Sequence, residues 1–201
     1  MDIALFDFDG TITVEDTFPA FVKRAIRPEK LRSAGMWLTP HKVLNKLGLV
    51  SDDALRARYI RLAFSGRNAN NLWNNGERFA QRYLKDHLQP RAMDRIRWHR
   101  ERGDRVVVVS EGLDVYLRTW CDQHGVELLC NELEEHNSKI TGRLKNPYCA
   151  GAEKARRIRE HIDLSAYDTV WAYGDSKSDT PMLNLSDEAQ LRWKPYTKTV
   201  A

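Results

Sequence analysis

The chain has 201 residues, which is enough for one α/β domain with a modest insertion but too few for two large domains. Hydrophobic residues make up 42% of the chain and charged residues 30%, the balance of an ordinary globular protein, and no apolar run approaches the roughly 20 residues of a membrane-spanning helix. The net charge is +4, and basic residues are densest from Arg78 to Arg105. Acidic residues are interleaved with these basic residues, and no nucleic-acid recognition motif accompanies them. The basic residues therefore indicate a solvated helix face rather than a nucleic-acid site.

The first predicted strand is the apolar run Ile3–Phe6, which leads into a cluster of carboxylates and Gly10. A short run that is apolar at every position is typical of a buried strand in a parallel sheet. The run is too short for the apolar part of a secretory signal, and no basic segment precedes it. We therefore expect a cytoplasmic protein.

The stretch from residue 18 to residue 89 shows helical patterns and no convincing strand. Ser51 is a candidate N-cap for one of these helices. The aromatic residues of the stretch, Trp37 among them, are interpreted mainly as its core. We predict a helical cap, residues 18–89, inserted into a catalytic core of residues 1–17 and 90–201.

After the insertion, strand and helix patterns alternate along the chain. Strands are predicted at Arg105–Ser110, Val126–Cys130 and Thr169–Gly174, and helices at Leu113–Gln123 and Gly151–Ile162. This alternation favours an α/β fold in which a parallel sheet carries helices on both faces.

Two further features lie between these elements. Residues 131–144 are predicted to form a small hairpin that turns near Asn137. The three cysteines, Cys121, Cys130 and Cys149, have no metal-ligand spacing, so we expect reduced and mostly buried thiols.

The polar residues that are candidates for chemistry lie where predicted strands end or a helix begins. They are Asp7, Asp9, Ser110, Lys154, Asp175 and Asp179. Because the carboxyl ends of neighbouring parallel strands meet at one edge of a sheet, we expect these side chains to share one crevice.

Such a crevice has the groups that phosphoryl transfer requires. Carboxylates gathered together repel one another unless a cation neutralises them, and hard oxygen ligands favour Mg²⁺. On an extended segment Asp7 and Asp9 would point the same way, so that one carboxylate attacks while the other handles protons. Lys154, with the hydroxyls of Thr11 and Ser110, would position the phosphoryl oxygens.

The order of these residues resembles the four motifs of the haloacid dehalogenase superfamily. Asp7–Thr11 resembles its first motif, DxDxT, Ser110 its second, Lys154 its third and Gly174–Asp179 its fourth, GDxxxD. The spacing and the position of the helical insertion resemble the phosphoserine phosphatase-like branch. The resemblance covers nearly the whole chain and implies a Rossmann-like core with an inserted helical cap.

The resemblance also implies roles for individual residues. Asp7 would be the nucleophile and Asp9 the general acid and base. Mg²⁺ would be held by the carboxylates of Asp7 and Asp175 and the backbone carbonyl of Asp9, with Asp179 in support. The phosphoryl group would be bound by Thr11, Ser110 and Lys154.

Candidate substrate residues are less clearly indicated by the same resemblance. Asp16 stands where the phosphoserine phosphatases carry an acid for the substrate amine, and Arg58 is the candidate for a substrate carboxylate. Glu111 and Ser178 replace residues that those enzymes usually carry as glycine and asparagine, and both changes disfavour phosphoserine as the substrate.

The resulting hypothesis is a magnesium-dependent phosphatase that hydrolyses a small phosphorylated metabolite through an aspartyl-phosphate. A phosphomutase or phosphotransferase remains an alternative, because it differs mainly in whether water or a second hydroxyl takes the phosphoryl group. A non-catalytic regulator that binds a phosphorylated ligand is a second alternative, and a nucleic-acid-binding protein a third. The regulator would be expected to lack one of the catalytic carboxylates, and all of them are present.

Overall fold

The computed structural model of the protein describes residues 1–26 and 52–198. Two residues named from the sequence, the candidate N-cap Ser51 and Trp37, lie outside the described residues. None of the helices within these two ranges combines the length and apolarity that crossing a bilayer requires.

The centre of the fold is a six-stranded sheet. The strands of the protein are β1 (Ile3–Phe6), β2 (Arg105–Leu113), β3 (Glu127–Asn131), β4 (Leu133–His136), β5 (Lys139–Leu144), β6 (Val170–Gly174), β7 (Glu188–Leu191) and β8 (Lys194–Pro195). The sheet has the order β3-β2-β1-β6-β7-β8, and only β8 runs antiparallel to its neighbour. The predicted parallel sheet is confirmed, and β7 and β8, which extend it beyond β6, are additions to it.

Helices cover both faces of this sheet, as predicted. The helices are α1 (Phe18–Ala25), α2 (Asp52–Phe64), α3 (Ala69–Arg82), α4 (Pro90–Glu101), α5 (Asp114–His124), α6 (Ala152–His161) and α7 (Thr180–Leu183). Side chains of β1 alternate between the two faces. Phe6 belongs to the buried cluster that includes α3, α4 and α5, whereas Leu5 belongs to the cluster that includes α6 and α7.

The helices between β1 and α4 share an aromatic core with the sheet domain. The ring of Phe21 in α1 lies 5.9 Å from that of Phe64, 5.3 Å from that of Phe79 and 4.8 Å from that of Tyr116, measured between ring centroids. These four rings join α1, α2 and α3 to α5. The helices α1, α2 and α3 are therefore packed against α5, which covers one face of the sheet.

The predicted hairpin is confirmed as β4 and β5, which pair antiparallel. Asn137 and Ser138 form its turn, and both have positive φ angles, 49° and 58°, as the right-handed twist of a tight hairpin requires. The hairpin is bound to the chain between α2 and α3, because Gly66 N donates to Ile140 O at 2.8 Å. It therefore extends the helical insertion although it comes much later in the chain.

The contact between α3 and α5 depends on Gly76. A Cβ atom at this position would lie 1.8 Å from the backbone oxygen of Val115, and backbone atoms have little room to move. We expect Gly76→Ala to lower the free energy of unfolding by about 1–3 kcal/mol, even though alanine favours the helix more than glycine. Urea denaturation measures this, with Asn70→Ala at an exposed position of the same helix as the control; equal stability of G76A and the wild type would contradict the close approach of α3 to α5.

Candidate active site

The register of the sheet brings three predicted site residues to one edge. Phe6 pairs with Val108 on one side and with Tyr173 on the other. The residues that follow these positions, among them Asp7, Ser110 and Asp175, therefore emerge at the same end of the sheet, as predicted.

Lys154 connects two of the predicted carboxylates. Its Nζ lies 2.6 Å from Asp7 Oδ1 and 2.7 Å from Asp179 Oδ1. All three side chains are buried. Burial raises the pKa of the Asp7 carboxyl well above its ordinary value, and the Lys154 ammonium opposes that effect. Burial alone would lower the pKa of Lys154, but the neighbouring carboxylates Asp7, Asp179 and Glu111 raise it.

Asp179 also organises the loop that carries Asp175. Its Oδ2 accepts hydrogen bonds from the backbone N–H groups of Asp175 and Ser176, both at 3.0 Å. These hydrogen bonds hold the backbone on which the Asp175 side chain is carried. Carboxylate oxygens of Asp7, Asp175 and Asp179 all lie within 4.8 Å of one another. Burial, and then the charge of Asp179, raise the pKa of Asp175.

Gly10 permits the close approach of the first and fourth motifs. Its φ angle of 80° lies in the region that favours glycine. A Cβ atom at this position would lie 2.3 Å from Asp175 Oδ2. The conformation and the space both require a glycine here.

Two hydroxyls lie at the same edge of the sheet. Thr11 is 1% exposed, and its Oγ1 has no hydrogen-bond partner among the described residues. A buried hydroxyl without a partner is costly, so a bound group is expected to contact it. Ser110 Oγ accepts a hydrogen bond from Gly112 N at 2.9 Å, which leaves its own O–H able to donate.

Asp9 lies in the turn that follows β1. The strand ends at Phe6, and Asp9 begins the turn. Asp9 Oδ1 accepts from Thr17 N at 2.8 Å and from Thr17 Oγ1 at 2.6 Å. Burial, with the nearby charge of Asp16, raises the pKa of Asp9 to about 6.

Of the candidate substrate residues, Asp16 and Glu111 lie on a polar rim around this edge, and Arg58 does not join them. Asp16 Oδ2 pairs with Arg56 Nη2 at 3.0 Å. Arg58 is exposed and lines a cavity between α2 and β5 that Tyr148 also lines. Glu111 accepts hydrogen bonds from Ser178 Oγ and, at 3.4 Å, from Tyr148 Oη. The arginine that pairs with Asp16 is Arg56, which the sequence did not indicate.

Asn131 is a site-forming residue that the sequence did not indicate. It is fully buried at the end of β3. Its Nδ2 donates to Glu111 O at 2.7 Å, and its Oδ1 accepts from Cys149 N at 2.8 Å. Asn131 thus joins the end of β2, just after Ser110, to the segment that leads into Lys154.

We expect Asn131→Asp to destabilise the protein, because a carboxylate of the same size would face the Glu111 carbonyl without a proton to donate. The loss of a buried hydrogen bond, with its partner left unpaired, corresponds to a decrease of about 1–3 kcal/mol in the free energy of unfolding. Denaturation in urea, compared with Asn137→Asp in the exposed hairpin turn, measures the difference. If N131D and N137D were equally stable, Asn131 would not have this bridging role.

Comparison with protein families gives one match that spans most of the chain. A model of the haloacid dehalogenase-like hydrolase family matches residues 4–184. This range contains every residue of the site described above.

Individual relatives agree with the family match. The chain is 30% identical over 196 residues to protein CicA of Caulobacter vibrioides, covering 94% of this chain and 85% of that protein. It is 31% identical over 104 residues to a phosphoserine phosphatase of Archaeoglobus fulgidus, covering 50% of this chain and 30% of that protein. A solved substrate-bound phosphoserine phosphatase complex has the same fold, with a TM-score of 0.66, 17% identity and coverage of 93% of this chain and 83% of that one.

Proposed function

Because the chain belongs to the haloacid dehalogenase-like hydrolases and is a phosphatase of that family, we propose that it hydrolyses a small phosphomonoester in a magnesium-dependent reaction with Asp7 as the nucleophile. The reaction passes through a covalent aspartyl-phosphate. Asp9 acts as general acid and then as general base, and Thr11, Ser110 and Lys154 bind the phosphoryl oxygens.

The observation that supports this proposal best is the position of Lys154. Its ammonium lies between Asp7 and Asp179, so residues from three distant parts of the chain meet at one buried point. Only Oδ1 of Asp7 takes part in a hydrogen bond among the described residues. Asp7 Oδ2 is therefore the oxygen available to attack phosphorus.

The proposed reaction has two steps. In the first, Asp7 Oδ2 forms a bond to phosphorus, the bond from phosphorus to the alcohol oxygen breaks, and Asp9 gives that oxygen a proton. In the second, Asp9 takes a proton from a water molecule whose oxygen attacks phosphorus, and the bond to Asp7 breaks. Thr17 holds Asp9 Oδ1, which leaves Oδ2 of Asp9 to carry the proton.

The donor set fits a hard divalent cation. The candidate ligands are all oxygens, from Asp7, Asp175 and the backbone carbonyl of Asp9, with Asp179 in support, and the three carboxylates lie within 4.8 Å of one another. Gly10 has no side chain, so no atom of this residue crowds the Asp175 carboxylate, one of the candidate ligands. When bound, Mg²⁺ would neutralise the charge of the phosphoryl oxygens.

The division into a core of residues 1–17 and 90–201 and a helical cap of residues 18–89 is part of the same proposal. The aromatic contacts of α1, α2 and α3 near the catalytic edge support it. The hairpin β4–β5 would move with the cap, since it is hydrogen-bonded to residues between α2 and α3. A cytoplasmic location is also proposed, and it is supported by the three buried, unpaired cysteines.

Phosphate release from para-nitrophenyl phosphate tests this function. We expect release in the presence of Mg²⁺, loss of activity by at least about 10²-fold when EDTA removes the metal, and recovery when Mg²⁺ is restored in excess. Activity that is unchanged by EDTA would contradict metal dependence. Binding of phosphate without any turnover would favour a regulator instead of an enzyme.

A further inference from the structure

Glu111 places a fixed carboxylate beside the phosphoryl site. It directly follows Ser110 in an irregular part of β2, where the register with β3 shifts. Its backbone oxygen is held by Asn131, and its carboxylate accepts hydrogen bonds from Ser178 and Tyr148. The side chain is half-buried, so it borders the open part of the site in one preferred position.

This carboxylate lies between the second and fourth motifs, because Glu111 directly follows Ser110 and accepts a hydrogen bond from Ser178. Its other partner, Tyr148, forms a polar rim with Glu111 and the Asp16–Arg56 ion pair; burial chiefly raises the pKa of Tyr148, and the nearby charge of Arg56 opposes that effect. Attack by Asp7 in line with the departing oxygen would direct the alcohol away from the sheet, and therefore toward this rim.

The charges on this rim do not cancel. Asp16 and Arg56 neutralise each other at 3.0 Å, and the guanidinium of Arg56 also lies over the ring of Phe18, 4.4 Å from its centroid. Glu111 has only hydroxyl partners, and no lysine or arginine in the described part of the chain forms an ion pair with it. Glu111 is therefore the rim carboxylate that has no ion-pair partner among the described residues, although it lies near enough to the Lys154 ammonium to contribute to the raised pKa of that group.

Building on the phosphatase function proposed above, we propose that Glu111 determines substrate specificity by charge. The preferred substrates are phosphomonoesters whose alcohol part is cationic or neutral. Esters whose alcohol part carries a carboxylate or a second phosphate are disfavoured, because their negative charge would lie near the Glu111 carboxylate in a partly desolvated site.

The test uses three compounds of similar size that differ in one group: aminoethyl phosphate, hydroxyethyl phosphate and carboxymethyl phosphate. Each competes with para-nitrophenyl phosphate, so its inhibition constant can be measured whether or not it is itself hydrolysed. We expect carboxymethyl phosphate to bind the wild type at least about tenfold more weakly than aminoethyl phosphate. In Glu111→Gln, which keeps the size and one hydrogen-bond acceptor, the difference should fall to about twofold or less. Glu135→Gln, on the exposed face of the hairpin, should keep the wild-type difference.

The possible outcomes separate the two proposals. If para-nitrophenyl phosphate is hydrolysed but the three compounds bind the wild type equally well, charge selection is overturned and the phosphatase function stands. A tenfold difference that persists in E111Q also overturns the role of Glu111. If para-nitrophenyl phosphate is not hydrolysed at all, the phosphatase function itself fails, and this inference fails with it.

Discussion

Replacing Asp7 with asparagine is expected to lower the rate of phosphate release by at least about 10³-fold, because the amide oxygen cannot form the phosphoryl-enzyme bond. Asparagine has nearly the same size as aspartate, and it can still accept the hydrogen bond from Lys154 Nζ that Asp7 Oδ1 accepts at 2.6 Å. We therefore expect D7N to fold and to lose catalysis. Steady-state release of phosphate from para-nitrophenyl phosphate with Mg²⁺ measures the effect.

The matched control for this change is Asp168→Asn. Asp168 is exposed, and its carboxylate pairs with the N-terminal amine; both groups precede β1 and β6, at the opposite end of these strands from the site. The control should retain the wild-type rate. A D7N protein that releases phosphate as fast as D168N would remove Asp7 from the mechanism.

The second large effect is expected for Asp9→Asn, which removes the proposed proton donor and acceptor. General acid and base catalysis contributes about 10²–10⁴-fold to rates, and asparagine at this position has no proton to transfer at neutral pH. The hydrogen bonds from Thr17 N and Thr17 Oγ1 can still be accepted by the amide oxygen. The loss should therefore be one of catalysis and not of folding.

The chemical nature of the leaving group distinguishes this role from simple damage to the site. An alkyl phosphate needs a proton on its departing oxygen, whereas para-nitrophenolate leaves without one. D9N should therefore lose at least about tenfold more activity toward hydroxyethyl phosphate than toward para-nitrophenyl phosphate. An equal loss for both substrates would show that Asp9 does not act as the general acid.

The sequence was sufficient to predict the core of the fold because short apolar runs and turn residues act locally. Ile3–Phe6 is confirmed to the residue as β1, and the hairpin turn at Asn137 and Ser138 is confirmed. Strand β7 was not predicted, since Glu188–Leu191 is short, partly exposed and without β-branched residues. Strand β7 forms because it pairs with the edge of β6. This edge exists only in the assembled sheet, so the local sequence does not indicate it.

The same distinction applies to the site. Asp7 and Asp179 were expected near Lys154 because they follow strands that end at one edge of the sheet. Both carboxylates are observed in contact with the Lys154 ammonium. The ion pair between Arg56 and Asp16 was not predicted, because residues two apart face different sides of a helix and only the docking of α2 determines which side faces Asp16.

Asn131 and Asp9 show why tertiary contacts limit sequence-based prediction. Asn131 carries no local signal, since its importance lies in two backbone partners that come from other parts of the chain. Asp9 was expected just after the first strand, but its contact with Thr17 was not predicted, because it depends on the turn at Gly10. The partners of Asn131 are distant in the sequence, and the contact of Asp9 with Thr17 depends on a turn. The type of residue at positions 131 and 9 does not by itself specify these contacts.

The most direct test of the account is detection of the phosphoryl group on Asp7. The wild-type protein, mixed with para-nitrophenyl phosphate and Mg²⁺, is quenched with acid during turnover, digested and examined by mass spectrometry. We predict a peptide containing Asp7 that carries one phosphoryl group, that loses it on treatment with hydroxylamine, and that is absent from D7N. A phosphoryl group found on Ser110 instead, or turnover with no phosphorylated peptide at all, would contradict the proposed mechanism.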